Sequence, residues 1–245
     1  MRSALPDFST TDVIVPTFNE SSTVPELLER LRRALPGARL IFVDNASTDR
    51  TCEILEQQDD VVLIRHDRNL GYGRSLMDGL RAGRGEFVVM IDADLEYHPE
   101  DLPALVDALS RCDAVFGSRF LGRPRRPAGI ALWRALGNRA LNTVFNWIYG
   151  QRMTDLYTGI RGYRRDALDL DRVRRDDWAM VPEMTTALAL RGGVLGEVPV
   201  EYQMRATGAS KMRHASEFAK FVGLALRWRF APSHRAGAAR SAQPD

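Results

Sequence analysis

The chain has 245 residues, of which 27% are charged and 44% hydrophobic, so it can bury the core of one large domain and is neither a disordered nor a collagen-like polymer. Its 34 basic residues nearly balance 32 acidic ones, a net charge of +2, which excludes a nucleic-acid binder relying on bulk positive charge. Cys52 and Cys112 form neither a disulfide framework nor a zinc motif, no run reaches the ~18–20 apolar residues of a membrane span, and residues 1–11 lack a signal-peptide core. A cytoplasmic protein in a reducing compartment is the expectation.

Strands and helices alternate through the first half. Residues 12–16 form a short β-branched run, and 24–35 show helical spacing with Leu27, Leu28 and Leu31 on one face. Residues 40–43 are a second strand, after which Ser47 and Thr48 can cap a helix running through Gln57. A third strand at 61–64, a helix at 71–84, a wholly apolar strand at 87–91, a helix opened by Pro99 and a strand at 113–116 complete this part. Runs of apolar residues rather than alternation predict strands covered on both faces, hence an α/β fold with a doubly wound, mostly parallel sheet flanked by helices.

Beyond Gly117 the rhythm breaks. Residues 122–127 (GRPRRP) are a basic, proline-rich loop, 129–149 a long amphipathic helix, 183–190 a shorter helix, 198–202 a last strand and 215–230 a second amphipathic helix. Arg134 and Arg139 interrupt the first long helix, whose tryptophans, with Arg123, Arg125 and Arg126 before it, suit a membrane surface. The second carries Lys220, Arg227 and Arg229 beside Phe218, Phe221 and Trp228. Packing against the domain or a second subunit explains both helices equally well, so a homo-oligomer stays open.

Ligands of open α/β sheets sit outside the carboxyl ends of the strands. Strand one exits into Pro16-Thr17-Phe18-Asn19-Glu20, strand two into Asp44-Asn45-Ala46-Ser47-Thr48-Asp49, and strand four into Asp92-Ala93-Asp94. All three exits are polar and acidic on one edge. No GxGxxG follows the first strand and no P-loop occurs, which speaks against a dinucleotide fold or a nucleoside-triphosphatase. Two carboxylates two residues apart at a strand end suit Mg²⁺ or Mn²⁺ completed by phosphates and water. Glu20 and Asp44 offer acceptors for a base N–H or for ribose hydroxyls, and Phe18 a ring for stacking; Glu20 and Asp49 taken singly read better as first-turn helix charges, but not when taken together with Asp92-Ala93-Asp94.

These motifs resemble, in order, the signatures of family 2 glycosyltransferases with the GT-A fold: residues 13–20, 43–49, Asn69-Leu70-Gly71 and Asp92-Ala93-Asp94-Leu95. Gly117-Ser118-Arg119-Phe120, residues 158–164, Glu197-Val198-Pro199-Val200 and Gly208-Ala209-Ser210-Lys211 are similar to the dolichol-phosphate mannose synthase branch, and the likeness spans about residues 11–213. It implies a domain over 11–230 with a nucleotide-sugar half (11–120) and an acceptor half (121–230); residues 1–10 read as a flexible stretch, and 231–245, rich in Ala, Arg and Ser, as a disordered tail. It implies that Pro16, Phe18, Glu20 and Asp44 hold the nucleoside of a GDP- or UDP-sugar such as GDP-mannose, and that Asp92, Ala93 and Asp94 hold ribose, diphosphate and metal. Arg119, Arg205 and Lys211 would contact donor or acceptor phosphates, in keeping with guanidinium forks and a compact ammonium. Two departures stand out: Glu96 replaces a common Gln and would add a third carboxylate to the ion, and Tyr97-His98-Pro99 replaces His-Pro-Pro.

The expected activity is inverting transfer of mannose or glucose to a polyprenyl or dolichyl phosphate, by a metal-dependent enzyme lying on the cytoplasmic membrane face. A phosphate nucleophile needs no general base. A soluble hydroxyl acceptor would need one, and Glu183, after Val181-Pro182, is the candidate, although a first-turn glutamate serves the helix dipole equally well. A non-catalytic nucleotide-sugar-binding subunit is a third reading.

Overall fold

A computed structural model of the chain describes residues 7–122, 130–173, 176–177 and 179–204. Its strands are β1 (Thr11–Thr17), β2 (Arg39–Asp44), β3 (Val61–Arg65), β4 (Phe87–Ile91), β5 (Ala114–Ser118), β6 (Ile160–Arg164) and β7 (Leu195–Pro199). Its helices are α1 (Val24–Ala34), α2 (Thr51–Glu56), α3 (Tyr72–Ala82), α4 (Leu102–Leu109), α5 (Leu132–Tyr149) and α6 (Met180–Leu190). The seven strands form one sheet in the order β3-β2-β1-β4-β6-β5-β7. Every pairing is parallel except those of β6, which runs antiparallel to both β4 and β5.

The uninterrupted apolar strands are explained by two cores, one on each face. Val13, Val15, Val89 and Ile91 point to the side carrying Leu27 and Leu31 of α1 and Leu102, Leu105 and Leu109 of α4. Ile14, Val88 and Met90 point to the other, against Leu76 and Leu80 of α3, Leu141 and Phe145 of α5, and Met180, Met184 and Leu188 of α6. Alternation along each strand thus sends consecutive apolar side chains into different cores. The mostly parallel α/β sheet expected from the sequence is the one that forms.

Several boundaries differ, for physical reasons. Ser47 and Thr48 do not cap α2, which starts at Thr51, because both bind Asn19 on the neighbouring loop. β6 is a strand that the apolar pattern misses, since Arg161, Gly162 and Arg164 interrupt it. β7 lies over Leu195–Pro199 rather than 198–202, and Tyr202 instead makes an isolated bridge to Tyr97. Pro99 opens a short 3-10 turn (Pro99–Asp101) leading into α4, α5 starts at Leu132 and not at 129, and α6 starts at Met180, three residues before Glu183. The loop from residue 123, Arg205, Lys211, the segment 215–230 and the tail at 231–245 lie outside the described residues.

Candidate active site

The exits of β1, β2 and β4 meet at one edge because these strands are adjacent and parallel, with Thr17 beside Asp44 and Ile14 beside Met90. The three loops are stitched together by side chains. Asn19 N–H donates to Ser47 Oγ (2.9 Å) and Thr48 N–H to Asn19 Oδ1 (2.7 Å). Asp49 accepts from Ser21 N–H (3.0 Å) and from both the amide (3.0 Å) and the hydroxyl (2.5 Å) of Thr51, whose Oγ1 in turn accepts from Glu20 N–H (2.8 Å). Burial alone would raise the Asp49 carboxyl, but these hydrogen bonds outweigh it and lower its pKa to about 2. Asn45 reaches the next loop, donating to Asn69 Oδ1 (2.9 Å) and accepting from Leu70 N–H (2.8 Å).

Each of the three exits carries a non-glycine residue in the left-handed region: Asn19 (φ 58°), Ala46 (φ 62°) and Leu95 (φ 58°). Such backbone costs about 1–3 kcal/mol per residue and persists where surrounding contacts over-determine it, which happens at ligand sites. Inside this frame Asp44 is only 3% exposed. Its Oδ2 accepts from Ser47 N–H (3.2 Å), whereas its buried Oδ1 has no hydrogen-bond partner among the described residues. An orphaned carboxylate oxygen at a sheet edge is an acceptor set for an incoming donor. Pro16 and Phe18 lie partly exposed beside it, and Glu20, also partly exposed, accepts from the Thr23 hydroxyl (3.3 Å).

At the β4 exit the Tyr72 hydroxyl donates to Asp92 Oδ1 (2.8 Å), and Asp94 Oδ1 accepts from Glu96 N–H (3.1 Å). Burial first, then the charge of Asp94, push the Asp92 carboxyl up to about 7, against the pull of the buried Arg161 guanidinium. Ala93 is buried between the two. The Glu96 Oε2 accepts from the Tyr202 hydroxyl (3.2 Å), and its charge adds to the rise of the Asp92 carboxyl. Among the described residues no three His, Cys, Asp or Glu side chains gather as a metal group. The reversed strand β6 matters here: Ile160 pairs with Ile91, so Thr158 and Gly159 arrive at the same edge as the carboxylates. A Cβ on Gly159 would lie 2.3 Å from Asp92 Oδ2, so only glycine leaves that carboxylate room.

Arg119 follows β5, on the other side of β4 from Asp44. Its Nε and Nη2 hold Asp155 in a fork (2.7 and 2.9 Å) and Nη2 also donates to the Tyr157 carbonyl (2.8 Å). Its guanidinium lies 5.4–5.9 Å from the ring centroids of Tyr97, Phe120 and Tyr202. Burial opposes its charge, yet Asp155 more than compensates and raises its pKa. Nη1 has no hydrogen-bond partner among the described residues, so one edge of the fork is left for an anion. Glu183 sits in the first turn of α6 and is 4% exposed. Tyr72, Arg161, Asp155 and Glu197 were not singled out in the sequence as site residues; only the motif around Glu197 and the motif at 158–164 hinted at any of them.

A family description, glycosyl transferase family 2, matches residues 12–170. The chain belongs to glycosyl transferase family 2. This glycosyltransferase is 34% identical over 234 residues to an undecaprenyl-phosphate mannosyltransferase of Micrococcus luteus, a match covering 88% of the chain and 94% of the relative. It is 30% identical over 208 residues to an undecaprenyl-phosphate 4-deoxy-4-formamido-L-arabinose transferase of Pseudomonas paraeruginosa, covering 81% of the chain and 59% of that longer protein. Glucosyl-3-phosphoglycerate synthase of Mycobacterium tuberculosis, crystallised with Mn²⁺, UDP and glucosyl-3-phosphoglycerate, superposes with a TM-score of 0.61 at 18% identity over 89% of this chain and 79% of that one. The glycosyltransferase therefore has the GT-A fold.

Proposed function

We propose that this glycosyltransferase moves a hexose, mannose or glucose, from a GDP- or UDP-sugar to a polyprenyl phosphate with inversion at the anomeric carbon. The observation that carries the reading is the gathering of Asp44, Asp92 and Asp94 from separate strands at one sheet edge, with a buried Asp44 oxygen lacking a partner among the described residues. Pro16, Phe18, Glu20 and Asp44 take the nucleoside, and Asp92, Ala93 and Asp94 the ribose and diphosphate. The relatives' names, undecaprenyl-phosphate mannosyltransferase and undecaprenyl-phosphate 4-deoxy-4-formamido-L-arabinose transferase, support the acceptor.

Mg²⁺ or Mn²⁺ fits the donor set: two hard carboxylates, one lifted to about 7 by burial and then by its neighbour, carry negative charge that a dication would relieve, and such ions commonly take one or two carboxylates plus substrate phosphates. Asp92 and Asp94 would hold it, and when bound it would neutralise charge on the departing diphosphate. The chain's own groups do the rest. A phosphate monoester, with a second pKa near ~6, is largely dianionic at neutral pH and needs no base. Its oxygen forms the new bond to the anomeric carbon as the bond to the nucleoside diphosphate breaks, and that diphosphate leaves with the electron pair. The Nη1 edge of Arg119 orients the acceptor phosphate, with Arg205 and Lys211 as further cations, and alignment supplies most of the acceleration.

Contact with the lipid surface falls to α5, where Leu132, Trp133, Leu136 and Trp147 are 58–85% exposed. No helix among the described residues is long and apolar enough to cross a membrane. The test supplies purified protein with GDP-mannose or UDP-glucose, Mg²⁺ or Mn²⁺, and either undecaprenyl phosphate or an alkyl glycoside. Transfer to the lipid phosphate, lost by ~10³-fold in Asp94→Ala, is the expected result. Transfer to the hydroxyl alone would reject the lipid acceptor and bring Glu183 forward as base.

A further inference from the structure

α5 has two unlike sides. Opposite its exposed apolar residues stand Asn138, Asn142 and Asn146, four residues apart and therefore in one row. All three bind the segment 153–156, which has no regular secondary structure of its own. Asn146 donates from Nδ2 to the Met153 carbonyl and accepts at Oδ1 from Met153 N–H, both at 2.8 Å. Asn142 donates to the Thr154 carbonyl (2.7 Å) and accepts from Leu156 N–H (3.0 Å). Asn138 donates to Asp155 Oδ1 (3.1 Å). Across the segment, Glu197 of β7 accepts from Thr154 N–H (2.9 Å), Asp155 N–H (2.8 Å) and the Thr154 hydroxyl (2.9 Å). Side-chain amides and one carboxylate thus satisfy backbone groups that a neighbouring strand would otherwise pair, and they set where the segment lies.

What the segment presents is Asp155, which is fully buried. Its Oδ2 accepts from Arg119 N–H (3.1 Å) and Nε (2.7 Å), and its Oδ1 from Arg119 Nη2 (2.9 Å) and Asn138 Nδ2 (3.1 Å). Four donors fill the roughly four acceptor positions of a carboxylate, so the guanidinium has one orientation open to it. The edge left over is Nη1.

We infer that Asn138, Asn142 and Asn146, acting through Asp155, are positioning residues that aim the Nη1 edge of Arg119 at the acceptor phosphate. This rests on the assignment of Arg119 to that phosphate. The row of amides makes α5 a bracket: one side faces outward, the other fixes the cation that meets the nucleophile.

Steady-state kinetics of the full chain with undecaprenyl phosphate and the nucleotide-sugar it turns over, with thermal melting alongside, test this on Asn138→Ala, Asn142→Ala, Arg119→Ala and the Arg119→Ala/Asn138→Ala pair. Asn138→Ala is expected to raise the acceptor KM by about tenfold while the donor KM stays within about twofold, and to add nothing in the Arg119→Ala background. Asn138 is partly exposed, so that variant carries the test should Asn142→Ala fail to fold. Melting temperatures that fall with an unchanged acceptor KM, or an effect that adds to that of Arg119→Ala, would overturn the positioning role alone. An Arg119→Ala protein with unaltered acceptor KM would remove the underlying assignment and the inference with it.

Discussion

The carboxyls of Asp92 and Asp49 are shifted in opposite directions from the ordinary range. Asp92 is lifted from 3.8 to about 7, chiefly by burial and then by Asp94. A carboxyl raised in this way stabilises the folded state fully below pH ~4 and loses that contribution as the pH climbs to about 7. Asp92→Asn keeps an acceptor for the Tyr72 hydroxyl but removes the crowded charge. In buffer free of divalent ions the variant should melt higher than the parent at pH 8, the gap should shrink at pH 5, and transfer should drop by ~100-fold or more. An unchanged or lower melting temperature at pH 8 would contradict this. Asp49, held near 2 by Thr51 and Ser21, contributes above pH ~4 and loses its contribution as the pH falls toward 2; because it is exposed, solvent screening limits the effect to about 1 kcal/mol. Burial and then the charge of Asp94 make ionised Asp92 costly to the fold, and the hydrogen bonds at Asp49 return some of that stability.

Among the elements, α5 makes the sharpest division between faces. Leu136 and Trp147 are 58% and 85% exposed, so a Leu136→Glu/Trp147→Glu double variant should melt within a few degrees of the parent. Its co-sedimentation with vesicles containing anionic lipid should fall several-fold, while turnover of a short-chain, water-soluble prenyl phosphate stays the same. Retained vesicle binding would move the lipid contact elsewhere. The apolar periodicity of α5 was readable from the sequence, but the work of its asparagines was not, since polar residues on an amphipathic helix usually face water. β1, β2 and β4 were legible because unbroken apolar runs signal strands buried on both faces, and with them the acidic exits holding Asp44, Asp92 and Asp94. β6 was not, because Arg161 reads as a solvated residue although it is 5% exposed beneath Asp92. Glu197 shifted the start of the last strand instead of hiding it: a carboxylate inside a strand looks like a break until the amides of Thr154 and Asp155 that satisfy it are seen.

At the scale of the sheet, the candidate site occupies the carboxyl edge and a separate clamp closes the amino edge. There Asp12, 1% exposed, accepts from Gly85 N–H (2.7 Å) and Arg165 Nη2 (2.6 Å), while Arg165 also donates to the Gly85 (2.6 Å) and Leu80 (2.9 Å) carbonyls. Arg165→Ala strands a buried carboxylate and should cost about 3 kcal/mol in urea unfolding with both KM values unchanged. A coupled change in KM would mean that the two edges communicate. The backward course of β6 has a consequence of its own. The chain leaves β5 after Ser118 and enters β6 at Ile160 on the same rim, so both ends of that excursion meet beside the carboxylates. Exchanging that excursion would disturb one of the two hydrophobic layers, because its Leu141 and Phe145 are buried there.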